Sequence, residues 1–223
     1  MITLDPVSAR GDGVLRVLCI GAHSDDIEIG CGGTLMQWLS TGTPLAVTWV
    51  VLSGKAERGA EARRSAKQLL NRAAAAEVVL GEFTDGRFPA EYNAVKDFFE
   101  SLKARVNPDV VFTHRLEDRH QDHRLVGELT WNTWRDHLIL EYEIIKYEGD
   151  LGNPNVFVPL QASTMRRKVN HLLKHFGSQR SKDWFAEQTF TGIGRVRGVE
   201  ARSRSGFAEA FHARKITLSL GQS

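Results

Sequence analysis

Residues 14–28 read VLRVLCIGAHSDDIE, an apolar run that passes through a glycine into one histidine and three carboxylates. The apolar part, residues 14–20, lies between Gly13 and Gly21, and this pattern is typical of a buried β-strand. A strand that ends directly in ionisable side chains predicts a functional site at the edge of a sheet, because ligands of open α/β sheets bind at the carboxyl ends of the strands.

Strands and helices alternate through about the first 135 residues. Further strands are predicted over residues 45–52, 78–80 and 109–113. Four helices are predicted: one that begins near Gly32, one over residues 60–76, one over residues 95–106 and one that begins at about His123. This alternation is typical of a doubly wound sheet. We therefore expect an α/β, Rossmann-like fold with a mostly parallel central sheet and helices on both faces.

The rest of the chain is less regular. Extended segments are predicted over residues 138–147 and 156–160, and Ser163 or Thr164 is expected to cap a helix that Gly177 ends. Beyond that helix, only residues 215–220, KITLSL, predict a strand. Because no linker or repeat divides the sequence, we expect residues 1–223 to form a single domain.

Composition excludes several classes of protein. The 223 residues carry 29 Lys and Arg against 27 Asp and Glu, and 42% are hydrophobic. This balance is typical of a soluble globular protein and gives no electrostatic argument for binding nucleic acid. No apolar run reaches the roughly 20 residues that span a bilayer, and the N-terminal residues do not resemble a signal peptide. We therefore expect no membrane anchor, a cytoplasmic location and reduced thiols at Cys19 and Cys31.

The polar residues after the first strand form the first candidate site. A nucleotide-binding loop would require a glycine-rich motif, and the carboxylates here would repel a phosphate. Imidazole and carboxylate are good zinc ligands, so His23 and Asp26 are candidate ligands, whereas Asp25 points in another direction. The alternative is that these residues only cap the following helix, whose N-terminus favours carboxylates.

A second polar cluster follows the strand at residues 109–113. Residues 114–123 read HRLEDRHQDH. His120 and His123 are three residues apart, which places both on one side of a helix that begins there. One of them would complete a metal triad, and the other would act on the substrate. The alternative is that His120 and His123 are a pair of solvated histidines. The role of His114 is left open: it either supports the site or is purely structural.

The two clusters resemble the motifs of the PIG-L, or LmbE-like, zinc-dependent N-deacetylases. Residues 17–35, VLCIGAHSDDIEIGCGGTL, are similar to the opening A-H-P-D-D motif of that family. Residues 118–130, DRHQDHRLVGELT, are similar to its H-P-D-H motif, and a looser likeness extends to GFAEAFHARK at the end of the chain. Ser24 and Gln121 stand where proline is usual in the family. This difference concerns the stiffness of the loops, since neither position supplies a ligand atom.

The resemblance implies a hydrolase that removes an N-acetyl group from an amino sugar or its conjugate and releases acetate and a free amine. It implies one bound Zn²⁺ with three ligands: His23, Asp26 and His123. The same donors also suit Fe²⁺ or Co²⁺. The resemblance further implies that Asp25 is the general base, and that His120, oriented by Asp122, stabilises the oxyanion or protonates the leaving amine. The alternatives are a zinc amidase that cleaves a larger acyl or thiol-sugar conjugate, and a metal-dependent sugar-binding module without turnover.

Two further residues are candidates for contacts with the sugar. Arg58 follows the second strand and is expected to hold sugar hydroxyls or a phosphate. Asp85 lies in a turn after the third strand and is expected to accept hydrogen bonds from sugar hydroxyls. The alternatives are a surface ion pair on a helix and an ordinary turn aspartate. His171 and His175 lack a third ligand nearby, so they are predicted to be surface histidines. The sequence leaves open whether identical chains assemble.

Overall fold

In the computed structural model, which describes residues 3, 5, 6 and 13–217, seven strands join in one sheet. The strands are β1 (Leu15–Gly21), β2 (Leu45–Val51), β3 (Ala75–Leu80), β4 (Val110–His114), β5 (Leu138–Tyr142), β6 (Val156–Leu160) and β7 (Phe207–His212). Their order across the sheet is β3-β2-β1-β4-β5-β7-β6. The first five strands are parallel, and β7 runs antiparallel to both of its neighbours. The predicted mostly parallel sheet is therefore confirmed.

Helices cover both faces of this sheet. Within the described part of the chain they are α1 (Asp26–Ser40), α2 (Ala56–Leu69), α3 (Tyr92–Lys103), α4 (Gln121–Thr133), α5 (Ala162–His175) and α6 (Glu187–Glu200). One apolar core lies between the sheet and α1, α2, α5 and α6, and the other lies between the sheet and the pair α3 and α4. The prediction of helices on both faces is confirmed. None of the helices in the described residues has both the length and the apolar character needed to cross a membrane.

The strand β1 is apolar apart from Arg16 because both of its faces are covered. Leu15 and Val17 belong to the first core, whereas Leu18 and Ile20 belong to the second. Side chains of a strand alternate between the two faces of a sheet, so a strand that is buried on both sides has no polar face. The continuous apolar run in the sequence follows from this position in the centre of the sheet.

Two predicted helix boundaries are wrong. The helix α1 begins at Asp26 rather than near Gly32, so the first polar cluster includes the first turn of the helix. The helix α2 ends at Leu69, and Ala75 and Ala76, which were predicted to belong to this helix, begin β3 instead. Alanine favours helices, but Ala75 and Ala76 pair with the backbone of β2, and this tertiary pairing overrides the intrinsic preference.

The C-terminal part of the chain also differs from the prediction. The helix α5 has Gln161 at its N-cap, and Thr164 donates its hydroxyl to the side chain of Gln37 instead of capping the helix. Residues 215–217 lie outside any strand, and residues 218–220 lie outside the described part of the chain. The last strand is β7, which pairs with β5 and β6. The helix α6, whose apolar residues show little periodicity, was not predicted.

The helix α1 carries glycines where it lies against the sheet. A Cβ atom added at Gly30 would overlap the ring of Tyr142, whereas one added at Gly32 would lie 3.6 Å from the Cβ of Glu28, its nearest neighbour. We expect Gly30→Ala to lower the free energy of unfolding by about 2 kcal/mol and Tm by about 4–8 °C, because the close contact has no room for a methyl group.

The matched control is Gly32→Ala on the same helix. Alanine stabilises a helix by up to about 1 kcal/mol relative to glycine, so Tm of this variant should stay the same or rise. Calorimetry of both variants measures the difference. Equal Tm values for the two variants would contradict the close approach of α1 to Tyr142.

Candidate active site

The two polar clusters meet at the carboxyl edge of the sheet. The strands β1 and β4 are parallel neighbours, so the segments that follow them leave the sheet side by side. The backbone N–H of Ala22 donates to Nε2 of His114 across a distance of 2.9 Å and joins the two segments. Each segment leads directly into a helix, α1 or α4, and the ionisable side chains lie at these two strand–helix junctions.

Three side-chain donor atoms converge between the junctions. Nδ1 of His23 lies 3.0 Å from Nε2 of His123 and 3.4 Å from Oδ2 of Asp26, and the last two atoms are 3.6 Å apart. All three side chains are buried. Donors about 2.0–2.1 Å from a tetrahedral zinc ion lie roughly 3.3 Å from one another. The separations in this cluster therefore fit a tetrahedral ion with a fourth position open.

Neighbouring side chains give overlapping sets of metal donors. These sets are His23 with His120 and His123; His23 with Asp85, His120 and Asp122; and Asp26 with His114 and His123. His114 is fully buried, and its ring stacks on that of His123 with 3.9 Å between the ring centroids. Its Nε2 accepts the N–H of Ala22 and lies 3.1 Å from Oδ2 of Asp26, so this ring packs directly against the donor cluster.

Asp25 lies beside the three donors and is buried. In the described part of the chain, its carboxylate makes no hydrogen bond to any of the three, and it caps α1 without a side-chain hydrogen bond. Nη2 of Arg58 lies 3.8 Å from its Oδ1. Burial, together with the charge of Asp26, raises the pKa of the Asp25 carboxyl to about 6. Such a carboxylate is a stronger proton acceptor than an exposed aspartate.

His120 lies beside two members of the donor cluster, His23 and His123. Its ring centroid is 4.9 Å from that of His23 and 4.6 Å from that of His123. It is half-buried at the N-cap of α4, where its Nδ1 accepts the backbone N–H of Asp122 across 3.3 Å. Burial, together with the neighbouring His23, lowers the pKa of the His120 imidazole. A neutral, partly accessible imidazole in this place can approach a substrate held by the cluster.

The Asp122 carboxylate is not directed at the ring of His120. It accepts the backbone N–H groups of Gly86, across 2.6 Å, and of Phe88, across 3.1 Å. Its Oδ2 also lies 3.2 Å from Nε2 of His23. The family resemblance implied that Asp122 orients His120, but the carboxylate contacts His23 instead, and only the backbone of Asp122 reaches His120.

Asp118 contacts the donor cluster, although no pattern in the sequence predicted a role for it. Its Oδ2 lies 3.0 Å from Nδ1 of His123, and its Oδ1 lies 3.0 Å from the ammonium group of Lys146. Burial opposes ionisation of Asp118, but the hydrogen bond and charge of His123, with a smaller effect of Lys146, hold the pKa of its carboxyl below the usual range. No periodic signal marks this contact, because Asp118 lies in the loop before α4.

Arg58 and Asp85 lie together at the entrance to the cluster and form an ion pair. Nε of Arg58 lies 3.3 Å from Oγ of Ser24, and Oδ1 of Asp85 lies 3.0 Å from Nε2 of His23. The side chain of Asp85 is 47% exposed. An ordinary surface ion pair would explain the contact between the two residues but not their contacts with Ser24, Asp25 and His23.

Glu28 of the first motif and His171 of α5 lie outside the donor cluster. Glu28, the third carboxylate after β1, accepts the hydroxyl of Ser65 on α2. Nε2 of His171 lies 2.7 Å from the same hydroxyl. His171 is buried, so the prediction of a surface histidine is wrong for this residue, whereas His175 is partly exposed. These contacts join α1, α2 and α5 rather than form a second metal site.

Comparison with known sequences identifies relatives of the chain. The model of the PIG-L family, described as GlcNAc-PI de-N-acetylase, matches residues 18–134, which include both polar clusters. YaiS from Escherichia coli K12, named an uncharacterized deacetylase, is 28% identical over 156 residues. That match covers 59% of this chain and 83% of YaiS.

Solved structures share the fold. The N,N'-diacetylchitobiose deacetylase from Pyrococcus horikoshii matches with a TM-score of 0.67 and 21% identity over 89% of this chain and 83% of that one. GalB, the 4-carboxy-2-hydroxymuconate hydratase from Pseudomonas putida KT2440, matches with a TM-score of 0.72 and 18% identity over 94% and 100%. Because these two enzymes are named for different reactions, the fold alone does not select the chemistry. The match of the family model to just over half of the chain, across both polar clusters, shows that the chain belongs to the PIG-L family.

Proposed function

We propose that the protein is a zinc-dependent hydrolase that removes the N-acetyl group from an amino sugar or an amino-sugar conjugate and releases acetate and a free amine. The observation that carries the proposal is the convergence of donor atoms from His23, Asp26 and His123 within 3.0–3.6 Å of one another, beside the buried Asp25. The family description and the names of YaiS and the chitobiose deacetylase support removal of an acetyl group.

The metal would be held by His23, Asp26 and His123. When bound, a zinc ion polarises the carbonyl of an amide and makes a water molecule more acidic. Two imidazoles and one carboxylate also accept Fe²⁺ or Co²⁺, so the metal found in the cell would depend on supply as well as on the ligands.

Asp25 is the general base in this proposal. It lies next to the three donors, and its oxygens are not hydrogen-bonded to them within the described residues. The carboxylate takes a proton from water as the water oxygen bonds to the carbonyl carbon of the acetyl group. A correctly placed base of this kind typically accelerates a reaction by about 10²–10⁴-fold.

His120 acts on the oxygen of the acetyl group. Its ring lies beside those of His23 and His123, one of its ring nitrogens lies within 4.8 Å of a carboxylate oxygen of Asp85, and it remains half accessible. It donates a hydrogen bond to the developing oxyanion, and the proton that Asp25 took from water passes to the amine as the C–N bond breaks, so that acetate keeps the oxygen from water. Loss of a donor of this kind typically costs about 10²–10³-fold in rate.

We further propose that Arg58 and Asp85 contact the sugar. Asp85 contacts the donor residue His23 and remains half exposed, and Arg58 contacts Ser24 and the neighbouring Asp25. The guanidinium donates to hydroxyl or phosphate oxygens and the carboxylate accepts from hydroxyl groups, so the pair suits a polar, N-acetylated sugar. A cytoplasmic location stays a prediction.

Acetate release by the zinc-loaded protein tests this function. The panel contains N-acetylglucosamine, its disaccharide, a nucleotide-linked N-acetyl sugar and an N-acetylated glycoside. We expect acetate from at least one member, measured by an enzyme-coupled assay, and none above background from Asp25→Asn. A larger acid from an N-acylated analogue, with no acetate, would indicate an amidase instead. Zinc binding without any acid release would indicate a sugar-binding module, and either outcome would contradict the proposed deacetylase.

A further inference from the structure

We infer that Asp118 is a positioning residue, whose carboxylate fixes the ring of His123 so that Nε2 faces the other metal donors. The inference rests on the proposed metal site and adds a residue that acts on it through His123. Oδ2 of Asp118 lies 3.0 Å from Nδ1 of His123. The opposite ring nitrogen, Nε2, lies 3.0 Å from Nδ1 of His23.

The protonation of the His123 ring follows from this contact. A carboxylate only accepts hydrogen bonds, so the ring must carry its proton on Nδ1. The lone pair of a neutral imidazole then lies on Nε2, toward His23 and Asp26. Carboxylates that contact ligating histidines in this way fix the tautomer and make the ring a better metal ligand.

The two oxygens of Asp118 have different partners. Oδ1 accepts the backbone N–H of His120 across 2.8 Å and contacts the ammonium group of Lys146. Within the described residues, the hydrogen bond of Oδ2 goes to the ring of His123 alone. Oδ1 therefore anchors the loop before α4, and Oδ2 is left for the imidazole of His123. An aspartate that only anchored the loop would not require this second contact.

Lys146 holds Asp118 in place from a second loop. Its ammonium group contacts Asp118 at 3.0 Å and Asp150 at 2.7 Å, and all three side chains are buried or nearly so. Asp150 in turn accepts the backbone N–H of Arg119. The loops after β4 and β5 are thus joined by a buried chain of charges that ends at the ring of His123.

Zinc affinity of the purified protein tests the inference without any assay of turnover. The apo protein competes for zinc with a chromophoric chelator, and the comparison uses wild type, Asp118→Asn and Asp150→Asn. We expect Asp118→Asn to bind zinc about 10–100-fold more weakly, the usual loss when such a partner of a ligating histidine is changed. Asp150→Asn is the matched control, because it removes the same charge from the same network without touching a histidine, and its affinity should stay within about twofold.

Equal zinc affinity for Asp118→Asn and wild type would overturn the inference, as would an equal loss in Asp150→Asn, since the effect would then come from the loops. Either of these results would overturn the inference alone, because wild type would still bind zinc, whereas a wild type that binds no zinc would overturn the proposed function as well. The ring ¹⁵N shifts of zinc-loaded wild type provide a second measurement that needs no variant. They should show His123 protonated on Nδ1, and protonation on Nε2 would overturn the inference.

Discussion

Asp25→Asn should retain its zinc and lose about 10²–10⁴-fold in kcat for acetate release. Asparagine has nearly the same shape as aspartate, but its amide cannot take a proton from water. The fold should tolerate the change, because Asp25 caps α1 without a side-chain hydrogen bond in the described structure. Steady-state kinetics with the best substrate of the panel give kcat, and elemental analysis of the same sample gives the zinc content.

Glu28→Gln is the matched control for this experiment. Glu28 is also a buried carboxylate in the sequence that follows β1, but its side chain contacts Ser65 rather than the donor cluster. We expect its kcat to stay within a few-fold of wild type. If Asp25→Asn kept the wild-type kcat, its role as general base would be refuted, and if it lost zinc instead, Asp25 would be a ligand.

His123→Ala should abolish zinc binding. The substitution leaves only His23 and Asp26 of the three proposed donors, and a catalytic zinc ion ordinarily requires three protein ligands. When the variant is purified without added metal, we expect the zinc content to fall from about one ion per chain to less than about a tenth. Mass spectrometry of the metal in the purified protein provides the measurement.

His175→Ala serves as the control for loss of a histidine. His175 is a partly exposed residue of α5 and contacts Gln68 on α2, away from the donor cluster. The zinc content of the His175→Ala variant should equal that of wild type. An unchanged zinc content in His123→Ala would refute the assignment of this residue as a ligand and would direct attention to His114 and His120.

The centre of the fold could be predicted from the sequence because its signals are local. Continuous apolar runs mark β1 and β4, and the ionisable residues that follow each run mark the edge of the sheet where the site lies. The boundary between α2 and β3 could not be predicted in the same way. The alanines at its end favour a helix, and only pairing with a distant strand, β2, turns Ala75 and Ala76 into strand residues.

In the candidate site as well, contacts within one segment could be predicted from the sequence, whereas contacts between distant segments could not. Spacing brought His23 and Asp26 together, because both belong to one short segment. The partner of Asp122 could not be predicted, since its carboxylate is fixed by the backbone of Gly86 and Phe88, which belong to the loop after β3. Neighbours along the chain, such as Asp122 and His120, need not be partners when a third segment supplies the hydrogen bonds.

The order of the strands also separates the proposed metal ligands from the residues that are proposed to contact the substrate. The proposed ligands follow β1 and β4, which are adjacent in the middle of the sheet, whereas Arg58 and Asp85 follow β2 and β3, toward one side. Side chains in the lateral segments can vary while the central pair of strands is kept, provided that the backbone of Gly86 and Phe88, which holds Asp122, stays in place. A laboratory selection for new acetylated substrates would therefore do best to randomise residues around Arg58 and Asp85 and leave both polar clusters intact, so that each variant inherits working chemistry and differs only in what it accepts.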